Sequence, residues 1–345
     1  MKLGLLAGYA GRKINLPLDA IKHAEKLGYD SVWTSEAYGS DAVTPAASIL
    51  ANTSKIKVGT AIMQMPARTP AMAAMTAMTL AQLSGNRFIV GVGASGPQVV
   101  EGWHGVAYGR PVTRLKEYVQ IMKAIFARQE ALAFEGKEHQ IPYKGPGSTG
   151  LGKPLKSILH LEQPIPIYAA TLTPAGVQAA AEVADGFFPV WMDPDQFHVF
   201  QEPIDKGFEA AGGKTLSQFD IAPFVAASMG DDVKACMAPL REHMALYIGG
   251  MGAKDKNFYT DYATRLGFGE AARKVQELFL AGRKEEAAAN VPEALVDACH
   301  LVGPPARIRD RAQRWIGAGK QGHVGTMLIR TQQPKALELL AEVLL

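Results

Sequence analysis

Apolar runs of four to eight residues recur along the chain at 3–9, 31–34, 56–63, 88–93, 165–170, 187–191, 221–228 and 324–330. Most are apolar at consecutive rather than alternate positions, the pattern of a strand covered on both faces. Helical periodicity fills the intervals. Leu18, Ile21 and Leu27 fall on one face of a helix whose first turn suits Pro17 and whose end is set by Gly28. Thr173 and Pro174 read as the cap and first residue of a helix reaching Ala184. Asp231 and Asp232 introduce another that runs through Leu246.

Regular alternation of strand and helix with right-handed crossovers builds a parallel sheet, either doubly wound or closed into a barrel. Eight such units in 345 residues favour a (β/α)8 TIM barrel. The alternation breaks twice, in a Gly- and Pro-rich stretch at about 143–164 and in a stretch with extra helices at about 249–293. Neither reads as a linker to a second core, so both are expected as insertions in a single α/β domain spanning 1–345.

With 48% hydrophobic residues the chain can bury one large core or two modest ones. Its 36 basic and 33 acidic side chains are dispersed, which argues against a nucleic-acid partner. Cys236 and Cys299 are too few for a disulfide framework and are not spaced as a metal pair, so a reducing, cytoplasmic setting is expected, with both thiols as small core residues. No apolar run is long enough to span a membrane.

The most informative stretch is 87–96, where the strand-like Phe88-Ile89-Val90 gives way to Gly91, Gly93 and Gly96. Such a loop lets backbone N–H groups approach a phosphate, although a tight loop without a ligand satisfies the same pattern. The glycines spell G-x-G-x-x-G, but they follow three earlier strand–helix units and run into Pro97, Trp103 and Gly105 with no helix expected in between, which speaks against a dinucleotide fold. Gly147, Gly152 and Lys153 stand at the spacing of a nucleotide-binding P-loop, yet Pro154 supplies no hydroxyl for magnesium. The histidines, Glu242-His243 included, show no metal-ligand spacing, and no serine sits in a G-x-S-x-G elbow. Met72, Met75 and Met78 read as one helical stripe packed in the core.

A series of landmarks then resembles the bacterial-luciferase-like flavin oxidoreductases over nearly the whole chain. They are the segment from Ala24 to Trp33, Val58-Gly59-Thr60-Ala61-Ile62, Asn86-Arg87-Phe88, Arg114-Leu115-Lys116-Glu117-Tyr118, Pro166-Ile167-Tyr168-Ala169-Ala170, Ala184-Asp185-Gly186 and Leu301-Val302-Gly303-Pro304. The segment from Gly93 to Glu101, followed by Gly102-Trp103-His104-Gly105, is similar to the branch that uses the deazaflavin coenzyme F420.

That resemblance implies a barrel with its site at the C-terminal ends of the strands. It implies that Gly93, Ala94, Ser95 and Gly96, together with Ala169, Ala170 and Thr171, contact the coenzyme phosphate. The tricyclic ring is expected against Ala61 and Ile62, joined by a cis peptide. Related sugar-phosphate dehydrogenases carry an acidic residue followed by a histidine after the second strand; here the pair is Glu36-Ala37, so that histidine's role has no counterpart at this position. Glu36 is left either as an acid or base or as a hydrogen-bond partner of a neighbouring loop. Trp103, placed with Glu36 as a candidate catalytic group, and Tyr38 either line the substrate side of the ring or pack. The implied activity is deazaflavin-dependent hydride transfer to or from a small organic substrate, in a homodimer. The rival readings are an FMN-dependent two-component monooxygenase and a barrel that binds a cofactor without catalysis.

Overall fold

The computed structural model describes residues 1–8, 12–252 and 257–345. In chain order its strands are β1 (Lys2–Gly8), β2 (Ser31–Thr34), β3 (Lys57–Thr60), β4 (Met63–Gln64), β5 (Phe88–Gly93), β6 (Phe134–Glu135), β7 (Gln140–Ile141), β8 (Ile167–Ala170), β9 (Gly186–Phe188), β10 (Asp220–Ile221), β11 (Phe224–Met229), β12 (Leu301–Gly303) and β13 (Thr326–Arg330). The main sheet is parallel and curled, in the order β10, β9, β8, β5, β3, β2, β1, β13, β11, β12, with β4 joined to β5. β6 and β7 form a separate antiparallel hairpin.

Every apolar run of the sequence holds a strand, and two runs are divided. The run 56–63 is interrupted by a cis peptide between Ala61 and Ile62. The run 221–228 is divided at Ala222-Pro223, because Pro223 has no N–H to give a ladder. The segment from Asp220 to Met229 still bonds in both directions: Ala222 N donates to Phe187 O at 2.9 Å, while Gly325 N donates to Ile221 O at 3.0 Å and Leu328 N to Pro223 O at 2.9 Å. Tyr9, expected at the end of the first strand, and residues 253–256 of the second insertion lie outside the described residues. The β6–β7 hairpin and β12 are absent from the sequence reading, being too short to show a period, and β4 is touched only at Met63.

The helices start and stop largely where their caps lie. Gly28 takes the left-handed conformation after the helix Leu18–Leu27, and the Thr173 hydroxyl accepts from Gly176 N at 3.1 Å at the head of the helix Pro174–Val183. Asp232 caps the helix Val233–Gly250, which continues past Leu246. Glu117 belongs to one of the family-like landmarks. Its carboxylate accepts from the backbone N–H groups of Lys137, Glu138 and His139, so it fastens the β6–β7 hairpin to the helix Pro111–Ala127.

Alternation along each strand divides the core in two. Leu5, Val32, Val58, Val92, Ile167 and Ala169 face the helices. Trp33, Ile89, Tyr168, Phe188, Ala222 and Leu328 form a second cluster enclosed by the curled sheet, with Leu6, Ala61, Ile62, Ala170 and Phe224 packed on it. Trp33 fits because Gly59 faces it: a Cβ there would lie 2.3 Å from the indole. Beneath this cluster Asp220 Oδ2 accepts from the Tyr168 hydroxyl at 2.7 Å and from Thr326 Oγ1 at 2.6 Å. Burial, and then the adjacent carboxylate, hold the Tyr168 phenol well above its ordinary pKa.

Two packing expectations fail. Met78 is buried, but Met72 and Met75 are 52% and 55% exposed, because a spacing of three residues drifts by about 60° per step around a helix of 3.6 residues per turn. Cys299 is buried, whereas Cys236 is only partly so.

Candidate active site

Gly93 and Ala170 are paired on adjacent strands, so the loops that follow β5 and β8 leave the sheet side by side. The two glycine- and alanine-lined loops of the sequence reading are thereby brought together. A Cβ on Gly93 would lie 3.0 Å from Ile62 Cδ1 and 3.4 Å from Ala170 Cβ, so this position is small for lack of space. The left-handed residue of the loop is Ser95, at φ 62°, and not one of the glycines. A further difference follows at once. A short helix, Pro97–Gly102, begins directly after Gly96, where the sequence reading expects none before Trp103; Pro97 at its first position has its φ already set and loses no helical hydrogen bond.

Ala61 and Ile62 meet the top of the inner aromatic cluster. Ala61 N donates to Thr34 O at 2.6 Å, which ties the cis segment to the end of β2. Ile62 and the small residues Gly93 and Ala170 together make a floor at the C-terminal ends of three strands.

A polar chain rises from one edge of this floor. Glu36 Oε1 accepts from Gln64 N at 2.7 Å and from Arg68 Nη1 at 2.6 Å, and its Oε2 accepts from Ala42 N at 2.9 Å. The Glu36 side chain is only 6% exposed, and Arg68 also stands 3.9 Å from Asp41. Gln64, itself buried, donates through Nε2 to Ala37 O and faces His104 Nε2 through Oε1 at 2.9 Å. The loop after β2 and the segment after β5 are thus linked through one amide. Tyr38 and Trp103, next in chain to Ala37 and His104, are 61% and 66% exposed at this edge, rather than packed in the core.

A cation stands behind the other edge. Arg265 Nη2 donates to Leu172 O at 2.5 Å, and Arg265 Nε is buried without a hydrogen-bond partner among the described residues. Thr171 presses on the first turn of the helix Pro174–Val183, where a Cβ on Gly176 would come within 1.8 Å of its Oγ1. A hydroxyl, a helix N-terminus and a guanidinium therefore converge beside Ala170. The sequence reading includes Thr171 but not Arg265, which lies in the second insertion with no local signal.

At the end of β13, Arg330 Nη1 meets His243 Nε2 at 3.2 Å, and His300 Nδ1 accepts from Ala226 N at 3.2 Å. Burial, and the Arg330 guanidinium beside it, push His243 down to about 4. Burial, with Arg330 and His243 adding to it, takes His300 to about 3. Both imidazoles are neutral around pH 7 and act as acceptors.

The chain is similar to known proteins over nearly its whole length. A family model described as luciferase-like monooxygenase matches residues 6–321. A Mycobacterium tuberculosis protein named as a coenzyme F420-dependent oxidoreductase is 40% identical over 322 residues, covering 92% of this chain and 93% of its own. The 5,10-methylenetetrahydromethanopterin reductase of Archaeoglobus fulgidus is 26% identical over 93% of this chain and 92% of its own. Among solved structures, the coenzyme F420-dependent tetrahydromethanopterin reductase of Methanopyrus kandleri superposes with a TM-score of 0.76 at 22% identity, over 99% of this chain and 97% of that one. An F420-dependent secondary alcohol dehydrogenase, solved with an F420-acetone adduct, gives a TM-score of 0.76 at 19% identity, over 99% and 98%. These two structures share the fold.

Proposed function

This chain belongs to the luciferase-like monooxygenase family, and from that premise we propose that it is a coenzyme F420-dependent oxidoreductase acting on a small organic molecule. The observation that carries the reading is the junction of the β5 and β8 loops at Gly93 and Ala170, with Thr171, the helix Pro174–Val183 and Arg265 gathered next to it. An arginine with a buried, unpartnered Nε beside a helix N-terminus suits the phosphate that both deazaflavin and FMN carry. Backbone N–H groups of Ala94, Ser95 and Gly96 would complete that hold, and Ala61 and Ile62 would back the planar ring.

When bound, the deazaflavin supplies or accepts the hydride. This chain's part is to fix the ring over Ile62, Gly93 and Ala170, to exclude water with the inner aromatic cluster below, and to present Tyr38 and Trp103 toward the substrate side. Glu36 serves as an anchor, since its carboxylate accepts from Ala42 N on its own loop and from Gln64 N and Arg68 Nη1 on the neighbouring segment. The 40% identical relative favours the deazaflavin over FMN. Parallel titration of the protein with the two coenzymes tests the choice.

The same reading takes the sheet as a closed eight-unit barrel in one domain, supported by the bonds that tie 220–229 to both β9 and β13. It takes the protein as a homodimer. The helix Pro70–Ser84 leaves Met72, Met75 and Leu83 exposed on one face, beside Thr79 and Gln82, as a face covered by a second copy would be. Sedimentation of Met72→Asp/Met75→Asp as a monomer, against a dimeric parent, is the expected outcome; a monomeric parent contradicts it.

A further inference from the structure

We propose that His104 is the proton-exchanging residue of this site, filling the role for which Ala37 has no side chain, and that Gln64 sets its tautomer. The inference rests on the oxidoreductase reading above. The argument begins at Gln64, whose Nε2 donates to the Ala37 carbonyl, a group that can only accept. That contact fixes the amide, so its Oε1 faces His104 and also can only accept. His104 Nε2 at 2.9 Å must then be the donor. In neutral His104 the proton is therefore on Nε2, and Nδ1 keeps its lone pair.

Position supports the role. Gln64 pairs with Gly93 in the sheet, two residues beyond Ile62, so the residue that bonds His104 belongs to the strand ends of the proposed ring site, and His104 is itself partly exposed. The backbone of Gln64 is held in turn by Glu36, whose carboxylate accepts from its main-chain N–H. The carboxylates on the elements tied to His104 are already engaged, and the exposed Tyr38 phenol stands on the same loop as Ala37. Glu36 and Asp41 face Arg68, and Glu101 on the same segment as His104 accepts from Tyr108 N. None of these contacts places a second proton acceptor on His104.

The balance of the reaction requires such a group. Oxidation of a substrate carbon bearing O–H or N–H transfers a hydride, two electrons and one proton, from that carbon to the coenzyme. The heteroatom proton must leave as the double bond forms, and His104 Nδ1 takes it. In the reductive direction the imidazolium returns that proton to the heteroatom as the carbon receives the hydride.

The test uses the full-length protein with coenzyme F420. Diethyl pyrocarbonate attacks only an unprotonated, accessible imidazole nitrogen, so peptide mapping should find His104 modified in the free protein. Coenzyme at about ten times its Kd should slow that modification by about tenfold. Histidine 15N spectra should show His104 with its proton on Nε2, and Gln64→Leu should move it toward a mixture of tautomers without unfolding the protein. With the most active acceptor from a panel of aldehydes, ketones and quinones, His104→Gln should slow oxidation of the reduced coenzyme by about a hundredfold and flatten its pH profile. A proton on Nδ1, an unreactive His104, or modification unaffected by bound coenzyme overturns the proposal even if no acceptor of the panel turns over. A protein that binds no coenzyme instead fails the oxidoreductase reading, and the tautomer measured in the free protein remains a separate result.

Discussion

Gly93 and Ala170 stand opposite one another on β5 and β8, and a Cβ added to the glycine would come within 3.4 Å of the alanine's Cβ and 3.0 Å of Ile62. The floor of the candidate site thus depends on two small residues that leave the ring and phosphate regions open. Gly93→Ala asks Ile62 to move by a few tenths of an ångström and should weaken coenzyme affinity modestly. Gly93→Val adds branches against both neighbours and should cost about 3 kcal/mol of binding, over a hundredfold. Thermal melts of the free proteins separate the effects: a large fall in melting temperature with intact affinity would make this glycine structural.

Glu36 answers a different question, because its carboxylate collects a guanidinium and two backbone N–H groups while almost fully buried. Glu36→Ala leaves those donors unpaired and should destabilise the protein by about 3 kcal/mol. Glu36→Gln keeps an acceptor and should cost about half as much. Denaturant midpoints measure both. A stable Glu36→Ala protein that has lost only turnover would return Glu36 to a catalytic role.

Strand positions were legible because strands covered on both faces are apolar without a break, and Gly28, Thr173 and Asp232 announce their helix ends through backbone chemistry local to each. The break at Pro223 was not, since its missing donor interrupts pairing without interrupting hydrophobicity, whereas the cis bond at Ala61-Ile62 was expected from the family resemblance and not from the apolar pattern. The stripe read through Met72, Met75 and Met78 failed because three-residue steps do not keep to one helix face. The same limit applies to the site. Gly93 to Gly96 stood out as a local pattern, whereas Arg265 reaching Leu172 and His104 meeting Gln64 are contacts between distant segments. Neither leaves a trace in spacing.

Acid should weaken the fold before the carboxylates titrate. His243 and His300 lie at about 4 and about 3 in the folded protein, below the ordinary 6.5. The unfolded chain therefore binds more protons as pH falls. The stability held by these neutral imidazoles is complete above about pH 6.5 and is lost as pH drops toward the folded values, each group adding a slope of up to about 1.4 kcal/mol per pH unit. Chemical denaturation between pH 7 and 5 should show this decline. The His243→Asn/His300→Gln protein should show a flatter one, and an unchanged slope would assign the loss elsewhere.

The most direct test of the account is equilibrium titration of the purified protein with coenzyme F420 and with FMN in parallel, repeated for Arg265→Ala. The expected result is saturable binding of the deazaflavin at least about tenfold tighter than FMN, a difference of about 1.4 kcal/mol. Arg265→Ala should weaken both, because the phosphate they share loses its cation. Equal or tighter binding of FMN would contradict the deazaflavin assignment, and affinity untouched by Arg265→Ala would place the phosphate away from the loops that follow β5 and β8.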